Sequence, residues 1–583
     1  MPVIALALAA CGSHQPPDQP IPEPAAAPPT LELTGIEVPT DGATLRAPVC
    51  ATHARLGETE LEVAYHTLFR TGDAGFGEMY SESGADLGET CSDQDFDSLL
   101  VAGGKPWLVS HFECVPGAIW VTPLQQGADG TLTHGEPHPV DWSAWGGVWF
   151  PCSGQVSPWG THLGSEEYEP DARQWKADGT LVKDLYGAWK DFSRYLTDPA
   201  TGSPYRYGWP LELAIDDAGT PVPAKRYAMG RFSHELSYVL PDRKTVYQSD
   251  DGTAVGLFMF VADEPGALDA GTLYGARFTT EGERVATAWV DLGHATQAEV
   301  AALIERKPLF SELFEVAEPA GDGTCAEGFT FVNHGYGREC LKLAAPSERV
   351  PDPALAASRL ETRRYAAMMG ATTELEKTEG LTFDPDTGTV FLSVTSVRSR
   401  MLAEPGAPHD GLQLAENRCG AVWGGTTASG VLDTSGAPIA SDHVVTSMSA
   451  LLAGSMLPEI DADGNACAPT EIANPDNLTF LPGHHLLMVA EDTKWHKGHA
   501  NAVLWAVDVR DPSRKQRMLV APPGGEVTGI HWIPDLLGHA YLTTVVQHPW
   551  SEMPKDQPVP DGITDDDRRA FTGYFGPFPS LAR

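Results

Sequence analysis

The sequence predicts an all-β fold of the β-propeller type, with helical and loop insertions between its sheets. Glycine occurs 59 times and proline 48 times, mostly between short runs of alternating apolar residues, which is typical of many short strands joined by tight turns. In addition, one strand–turn–strand unit recurs along the chain with an acidic residue at the same entry point. Such recurrence indicates a radially repeated sheet, in which equivalent positions meet at one axis.

The repeated unit begins with a carboxylate, continues as a short apolar strand and reaches a proline turn. Glu235, Glu379 and Asp476 each precede their turn proline by six residues. Glu526 opens a looser copy, in which Pro534 follows eight residues later. After each turn the chain returns as a second apolar strand, as in KTVYQSDD and GTVFLSV. Carboxylates brought together at one axis need cations, and their oxygen atoms suit calcium and other hard ions. We therefore predict a metal site at the propeller axis.

The repeats are unequally spaced, and helical patterns lie between them. The spacing of apolar residues predicts helices at 183–196, 296–306 and 357–369. No abrupt change of composition divides the rest of the chain. We therefore predict that residues 31–583 form a single propeller domain with long insertions.

The formal net charge is −40, from 39 basic and 79 acidic residues. This balance argues against nucleic acid as a partner, because no basic patch could neutralise its phosphates. It fits a soluble exported protein, and it also fits a protein whose charge is partly balanced by bound metal ions. We expect a monomer that acts on small molecules.

The first eleven residues, MPVIALALAAC, resemble the end of a bacterial lipoprotein signal in which Cys11 receives the lipid. Residues 12–30 are rich in proline and predict an extended tether. We therefore predict a bacterial cell-envelope protein, periplasmic or surface-exposed, that contacts the membrane only through this lipid anchor. Eight of the nine cysteines remain after Cys11, and an even number in an exported chain suggests disulfides, whose pairing the sequence leaves open.

A further segment, CSGQVSPWGTHLGSEEYEPD at residues 152–171, places the adjacent carboxylates Glu166 and Glu167 after a Trp-Gly turn. Here the chain resembles the PhoX family of secreted bacterial alkaline phosphatases, which typically shows a Cys-x-Gly-Gly…Pro-Trp-Gly-Thr-x-Leu-x-Cys-Glu-Glu run. The further motifs that carry the resemblance are GRFSHELSYVL (230–240), QSDDGTAVGLFMFVAD (248–263), LDAGTLYGARF (268–278), TEGLTFDPDTGTVFLSVT (378–395), PDNLTFLPGHHLLMVAEDT (475–493) and GGEVTGIHWIPD (524–535).

The resemblance implies a six-bladed β-propeller with iron and calcium ions at the mouth of its pore, where phosphate esters are hydrolysed. It also implies catalytic roles for Lys377, Glu379 and Asp476. The metal-binding carboxylates that it implies are Glu166, Glu167, Glu235, Asp250, Asp251, Glu379, Asp476 and Glu526. Clustered cations suit this activity, because a phosphate monoester is a dianion that a protein with a net charge of −40 would otherwise repel.

Two positions depart from the family pattern. Ser165 stands where the family has a cysteine that binds iron as a thiolate, and a hydroxyl is a far weaker ligand for that metal. Lys377 replaces an arginine, which keeps the charge but loses the forked geometry suited to phosphate. Two alternatives therefore stay open. One is a non-catalytic calcium-binding propeller that has lost its iron site. The other is a calcium-dependent lactonase or esterase, which Asn477 beside Asp476 would suit.

Overall fold

Six antiparallel sheets surround one axis in the computed structural model of the chain. It describes residues 30–37, 45–176, 178, 180–184, 187–321, 323–403, 411–555 and 557–582. The predicted lipidation site Cys11 and nearly all of the predicted tether lie outside these residues.

We number the sheets as blades 1 to 6 along the chain and name the inner strand of each blade first. Blade 1 comprises Gln94–Ala102, Lys105–Phe112, Ala118–Gln126, Leu132–His134 and His138–Pro139. Blade 2 comprises Gln155–Val156, His162–Gly164, Leu211–Ile215 and Pro221–Lys225. Blade 3 comprises His234–Val239, Thr245–Asp250, Leu257–Ala262, Ala270–Glu281 and Arg284–Thr296.

The second half of the ring follows the same order. Blade 4 comprises Thr378–Asp384, Thr389–Val394, Ala421–Ala428, Val444–Val445 and Ser447–Ala453. Blade 5 comprises Pro475–Leu481, Leu486–Glu491, Val503–Asp508, Lys515–Val520 and Val49–Cys50. Blade 6 comprises Glu526–Leu536, His539–Gln547, Phe571–Pro579 and Ala64–Arg70.

The ring is closed by strands from both ends of the folded region. Ala64–Arg70, the outer strand of blade 6, pairs with Phe571–Pro579, so an early strand completes the last blade. The inner strands of neighbouring blades contact one another all the way round, from blade 1 through blade 6 and back to blade 1. The predicted propeller with six blades is thus confirmed. The long hairpin of blade 3 also pairs with blade 4, through Arg284–Thr296 and Ser447–Ala453, and joins the outer edges of these two blades.

The remaining described elements are insertions around this ring. The additional strands are Leu31–Leu33, His53–Leu56, Thr59–Glu62, Glu78–Tyr80, Asp86–Thr90, Thr253–Val255, Phe314–Ala317, Thr330–His334, Gly337–Leu343 and Leu375–Glu376. The α-helices among the described residues are Ala188–Phe192, Gln297–Glu305, Phe310–Leu313, Pro353–Leu360 and Thr362–Met369. None of these helices is long and apolar enough to cross a bilayer.

The predicted helices match the structure to different degrees. The helix predicted at 296–306 is present as Gln297–Glu305, and Thr296 and Glu299 form a capping box at its start. The helix predicted at 357–369 is instead two helices that meet at Glu361, whose φ of −133° is not helical. The Glu361 carboxylate accepts hydrogen bonds from Tyr205 and Arg364, and these buried contacts accompany the break. The helix predicted at 183–196 is short, Ala188–Phe192, because Gly187 before it adopts a left-handed conformation.

Six of the eight remaining cysteines form disulfides, in the pairs Cys91–Cys114, Cys325–Cys340 and Cys419–Cys467. Cys50 and Cys152 are free thiols. The even number of cysteines therefore did not mean that all were paired. Cys152 lies just before the inner strand of blade 2, on the axis side of the ring, where its thiol contacts Glu235.

Candidate metal centre

Four acidic residues at the axis occupy the same structural position in their blades. In blade 3, His234 pairs with Asp250, but the next pair is Ser237 with Gln248, so the inner strand carries one extra residue and forms a β-bulge. The inner strands of blades 1, 4 and 5 have the same irregularity at the same place. The first bulge residues of the four blades are Asp95, Glu235, Glu379 and Asp476. They lie close enough that the other three carboxylates raise the pKa of Glu235, in addition to the larger effect of its burial.

Blade 6 has the bulge but not the acid at that position. The equivalent residue is Gly529, where a Cβ would lie 2.6 Å from the backbone oxygen of Asp95, so a side chain does not fit. Glu526 comes three residues earlier, at the start of the inner strand. Its carboxylate nevertheless lies within 4.8 Å of ligand atoms of Asp476 and Asp492. The looser sequence repeat therefore corresponds to a different position in the blade that reaches the same cluster.

A second set of acids follows the returning strands. In blades 1, 3 and 5, the residue directly after the partner of the inner strand's first pair is acidic. These residues are Glu113, Asp251 and Asp492. Of these, only Asp251 belongs to the predicted set. The strings QSDD and VAED, in which an acidic pair ends the returning strand, were the signal that could have identified Asp492.

Among the described residues, three groups at the axis could hold a metal ion, because the ligand atoms within each group lie within 4.8 Å of one another. The groups are Glu113–Cys152–Glu167, Glu235–Glu379–Asp476 and Asp476–Asp492–Glu526. They form one continuous cluster, since two of them share Asp476 and the Cys152 thiol donates to Glu235 Oε2 at 3.2 Å. A fourth group, Cys91–Asp93–Cys114, is unsuitable because its two sulfur atoms form a disulfide.

The cluster carries more negative charge than nearby side chains neutralise. Burial raises the pKa of Asp476 to about 6 and that of Glu113 to about 7. Burial and the charge of Asp251 raise the pKa of Glu167 well above its ordinary value. Moreover, Glu167 Oε1 and Asp251 Oδ1 are buried and receive no hydrogen bond from the described residues. A bound cation would favour the charged form of these carboxylates and would give their unpaired oxygen atoms a partner.

Lys377 is the cation that contacts the cluster most closely. Its Nζ lies 3.1 Å from Glu379 Oε1 and 3.1 Å from Asp492 Oδ2, so it bridges blades 4 and 5. Burial opposes ionisation of Asp492, but the charges of Lys377 and Lys494 and the hydrogen bond from Lys377 together outweigh it and lower the pKa of that carboxyl to about 2. The lysine side chain is 29% exposed, so part of it faces solvent.

The structure brings a thiol into the cluster at a position other than Ser165. The Ser165 hydroxyl is buried and donates to the backbone oxygen of Ser153 at 2.9 Å, and no potential metal group of the described residues includes it. Cys152 instead lies with Glu113 and Glu167. The sequence interpretation counted Cys152 among the eight cysteines that suggest disulfides, without pairing it, and assigned the iron-binding position to Ser165. A thiol is therefore present in the cluster although Ser165 is not a cysteine.

Two predicted ligands have their oxygen atoms occupied by protein groups. Glu166 Oε1 lies 2.7 Å from Lys225 Nζ, and Glu166 Oε2 accepts from the backbone N–H groups of Gly208 and Trp209. Asp250 accepts hydrogen bonds from two nitrogens of the Arg363 guanidinium, Nε and Nη2. These contacts give both buried carboxylates a positively charged partner and hydrogen bonds. The structure therefore gives Glu166 and Asp250 the role of buried ion-pair partners, whereas their neighbours Glu167 and Asp251 face the cluster.

Replacing Lys225 by methionine tests this division of roles. Both Lys225 and Glu166 are fully buried, so the change leaves an unpaired carboxylate in the protein interior. We expect the free energy of unfolding to fall by about 3–5 kcal/mol, measured by urea titration. Metal bound per folded molecule should stay unchanged in elemental analysis. A loss of metal with little change in stability would instead make Glu166 a ligand.

The fold and the site together define a six-bladed propeller with a buried carboxylate cluster that could hold several cations on its axis. The sequence pattern of the alkaline phosphatase PhoX family matches residues 128–549, well over half of the chain. The chain therefore belongs to the PhoX family, as its motifs predicted.

A solved structure supports the fold. PhoX of Pseudomonas fluorescens in complex with vanadate, a transition state analogue, is 16% identical in sequence and superposes with a TM-score of 0.57 over 96% of this chain and 99% of that chain. A mutant sialidase of Trypanosoma rangeli that displays trans-sialidase activity is 8% identical, with a TM-score of 0.33 over 88% of this chain and 58% of that chain, too low to support an argument. No curated protein sequence matches the chain significantly.

Proposed function

We propose that this protein is a metal-dependent phosphatase that hydrolyses phosphate esters at the cluster on the propeller axis. The main support is that ligand-type side chains from all six blades converge there, in a chain that belongs to the PhoX family. In blade order these side chains are Asp95, Glu113, Cys152, Glu167, Glu235, Asp251, Glu379, Asp476, Asp492 and Glu526.

The donor set favours two kinds of cation. The groups Glu235–Glu379–Asp476 and Asp476–Asp492–Glu526 offer only carboxylate oxygen and would suit calcium. The group Glu113–Cys152–Glu167 adds one sulfur to two carboxylates, a mixture that would suit iron better than calcium. We therefore propose calcium together with iron and assign the thiolate to Cys152.

When bound, such cations would supply the positive charge that attracts a phosphate dianion and the Lewis acidity that polarises its P–O bonds. Glu379 and Asp476 would hold them at fixed positions, since both are buried and fixed in β-bulges. Lys377 would bind a phosphate oxygen from the solvent side of the cluster and stabilise the charge that develops during transfer. Its single ammonium provides charge without the fixed geometry of arginine.

The alternative functions have less support. A non-catalytic propeller was suggested by the loss of the family's cysteine at Ser165, but Cys152 offers a thiol inside the cluster. A lactonase site was suggested by Asn477, but its Oδ1 accepts hydrogen bonds from the Gly529 N–H and the Thr528 hydroxyl, and its Nδ2 donates to Asp476. Its amide oxygen is thus engaged within the protein, which disfavours a ligand role.

We also propose that the protein is a monomer anchored to the bacterial cell envelope through a lipid on Cys11. The three disulfides are consistent with an oxidising compartment outside the cytoplasm. Labelling with a radioactive fatty acid, compared between the full chain and a Cys11→Ala variant, would test the anchor directly.

The test of the function is elemental analysis combined with hydrolysis of p-nitrophenyl phosphate at alkaline pH. We expect calcium and iron to co-purify with turnover in the unchelated protein. The variant Cys152→Ser should lose iron, keep most of the calcium and lose activity by about a hundredfold. Cys50→Ser is the matched control, because Cys50 is the other free cysteine of the described residues, its thiol donates to the backbone oxygen of Pro48, and it belongs to none of the potential metal groups.

Two results would contradict the proposal. Absence of hydrolysis in protein loaded with calcium and iron would rule out the phosphatase function. Equal iron content in Cys152→Ser and Cys50→Ser would show that Cys152 is not a metal ligand, but it would not contradict the phosphatase function.

A further inference from the structure

Tyr168 is an exposed aromatic residue directly beside the buried carboxylates. It follows Glu167 in the chain, and 40% of its surface is exposed. Its hydroxyl donates a hydrogen bond to Asp251 Oδ2 at 3.0 Å. The hydroxyl end of the ring therefore reaches the cluster, while much of the residue faces solvent beside it.

The protein holds this ring in place with several contacts. The Tyr168 backbone has a φ of +46°, a conformation that residues with a Cβ adopt only where their surroundings fix them. Its N–H donates to Ser233 Oγ at 2.8 Å, and its carbonyl accepts from Trp149 Nε1 at 2.9 Å. The ring meets Phe150 edge to face, with centroids 5.7 Å apart, and Phe150 also has a positive φ, of 34°.

The ring is placed to contact the organic group of a substrate and not its phosphate group. In the proposed function the phosphate group lies among the cations beside Lys377. The N–H of Lys377 donates to the backbone oxygen of Gly252, the residue after the Asp251 that Tyr168 contacts, so the ring lies near this position. The organic group of the ester must then extend away from the buried cluster towards solvent. The fixed aromatic ring is therefore available to pack against that group.

We propose that the Tyr168 ring determines specificity for the organic group and favours phosphate esters of flat aromatic alcohols. Planar groups gain from stacking or edge contact with a fixed aromatic ring, whereas small polyols gain little. This inference rests on the proposed phosphatase function and adds to it the substrate class.

The test compares phenyl phosphate with glycerol 1-phosphate in the holoprotein and in the variants Tyr168→Leu and Tyr168→Phe. The quantity compared is kcat/KM for phenyl phosphate divided by kcat/KM for glycerol 1-phosphate. The two esters differ in intrinsic reactivity, but this difference cancels when the ratio is compared between variants. We expect Tyr168→Leu to lower this ratio by about three- to tenfold. Tyr168→Phe keeps the ring and should keep the ratio, although the lost hydrogen bond to Asp251 lowers turnover of both esters alike. An unchanged ratio in Tyr168→Leu, or an equal drop in Tyr168→Phe, would overturn the assignment.

Binding without turnover separates this inference from the proposed function. In calorimetry with the metal-loaded protein, Tyr168→Leu should weaken phenylphosphonate by about three- to tenfold and leave inorganic phosphate unchanged. Unchanged phosphate binding also shows that the variant retains its folded metal site. Equal weakening of both ligands would overturn the role of the ring. If the wild-type protein binds both ligands but hydrolyses neither ester, the phosphatase function fails, and the phenylphosphonate comparison still decides the role of Tyr168.

Discussion

The variant Glu379→Gln is expected to lose nearly all phosphatase activity and yet to be more stable than the wild type once metals are removed. Glu379 is 3% exposed, and its carboxylate lies among Asp476, Glu235 and Asp251. An amide of the same shape removes one negative charge and a cation ligand together. We expect kcat/KM to fall by about a thousandfold in the metal-loaded protein. In the chelated protein the free energy of unfolding at pH 8 should rise by about 1–2 kcal/mol, because like-charge repulsion decreases.

Activity is expected to fall while the stability of the chelated protein rises, and this combination distinguishes a metal ligand from other kinds of residue. A residue that only supports the fold would lower stability in both forms, and a surface residue would change neither. Asp463→Asn is the matched control, since Asp463 lies in an exposed polar turn in which the Asp461 side chain accepts the Asp463 N–H. Asp476→Asn should behave like Glu379→Gln, because both acids are the first residue of their bulge. Full activity in both variants would mean that the repeated acids are structural.

The repeated strand–turn unit predicted the ring and, because the bulge position recurs in sequence, the axial acids Glu235, Glu379 and Asp476. Glu526 was predicted from a looser copy of the unit and lies outside the bulge of its blade. The same reasoning missed Asp95, whose inner strand ends at Gly103 and Gly104 instead of at a proline turn. Turn chemistry differs between blade 1 and blades 3, 4 and 5, whereas the bulge that positions the acid is the same in all four. A search based on proline therefore finds only the blades that use it.

Adjacent acids posed a different difficulty. Glu166 and Glu167, like Asp250 and Asp251, differ by one position, and in each pair the first acid meets a buried cation while the second faces the cluster. The cations that decide this, Lys225 and Arg363, come from distant parts of the chain. Local sequence contains no information about which member of a pair they will neutralise. The role of Cys152 was missed for the same reason, since whether a cysteine is paired depends on what lies beside it in space.

Metal-free protein is expected to lose stability as the pH rises from about 4 to about 7. Burial raises the pKa of Asp476 from 3.8 to about 6 and that of Glu113 from 4.5 to about 7. Within this window the unfolded chain has already released the two protons that the folded protein still holds. By linkage, stability is then highest below the unfolded pKa values and falls as the pH approaches the folded ones. Each group contributes a loss on the order of 3 kcal/mol, at about 1.4 kcal/mol per pKa unit.

Bound metal should reverse this slope, because cations bind the deprotonated carboxylates and displace their protons. Calorimetric unfolding between pH 4.5 and 7.5 would be measured in chelator and in calcium. A midpoint temperature that falls with pH in chelator and rises with pH in calcium is the expected result. Parallel curves would mean that the cluster does not bind calcium in the folded protein. A chelated protein whose stability did not fall with pH would mean that the axial carboxylates are better compensated by protein groups than their burial implies. In that case the need for cations, from which the function of this site was inferred, would no longer follow from the fold.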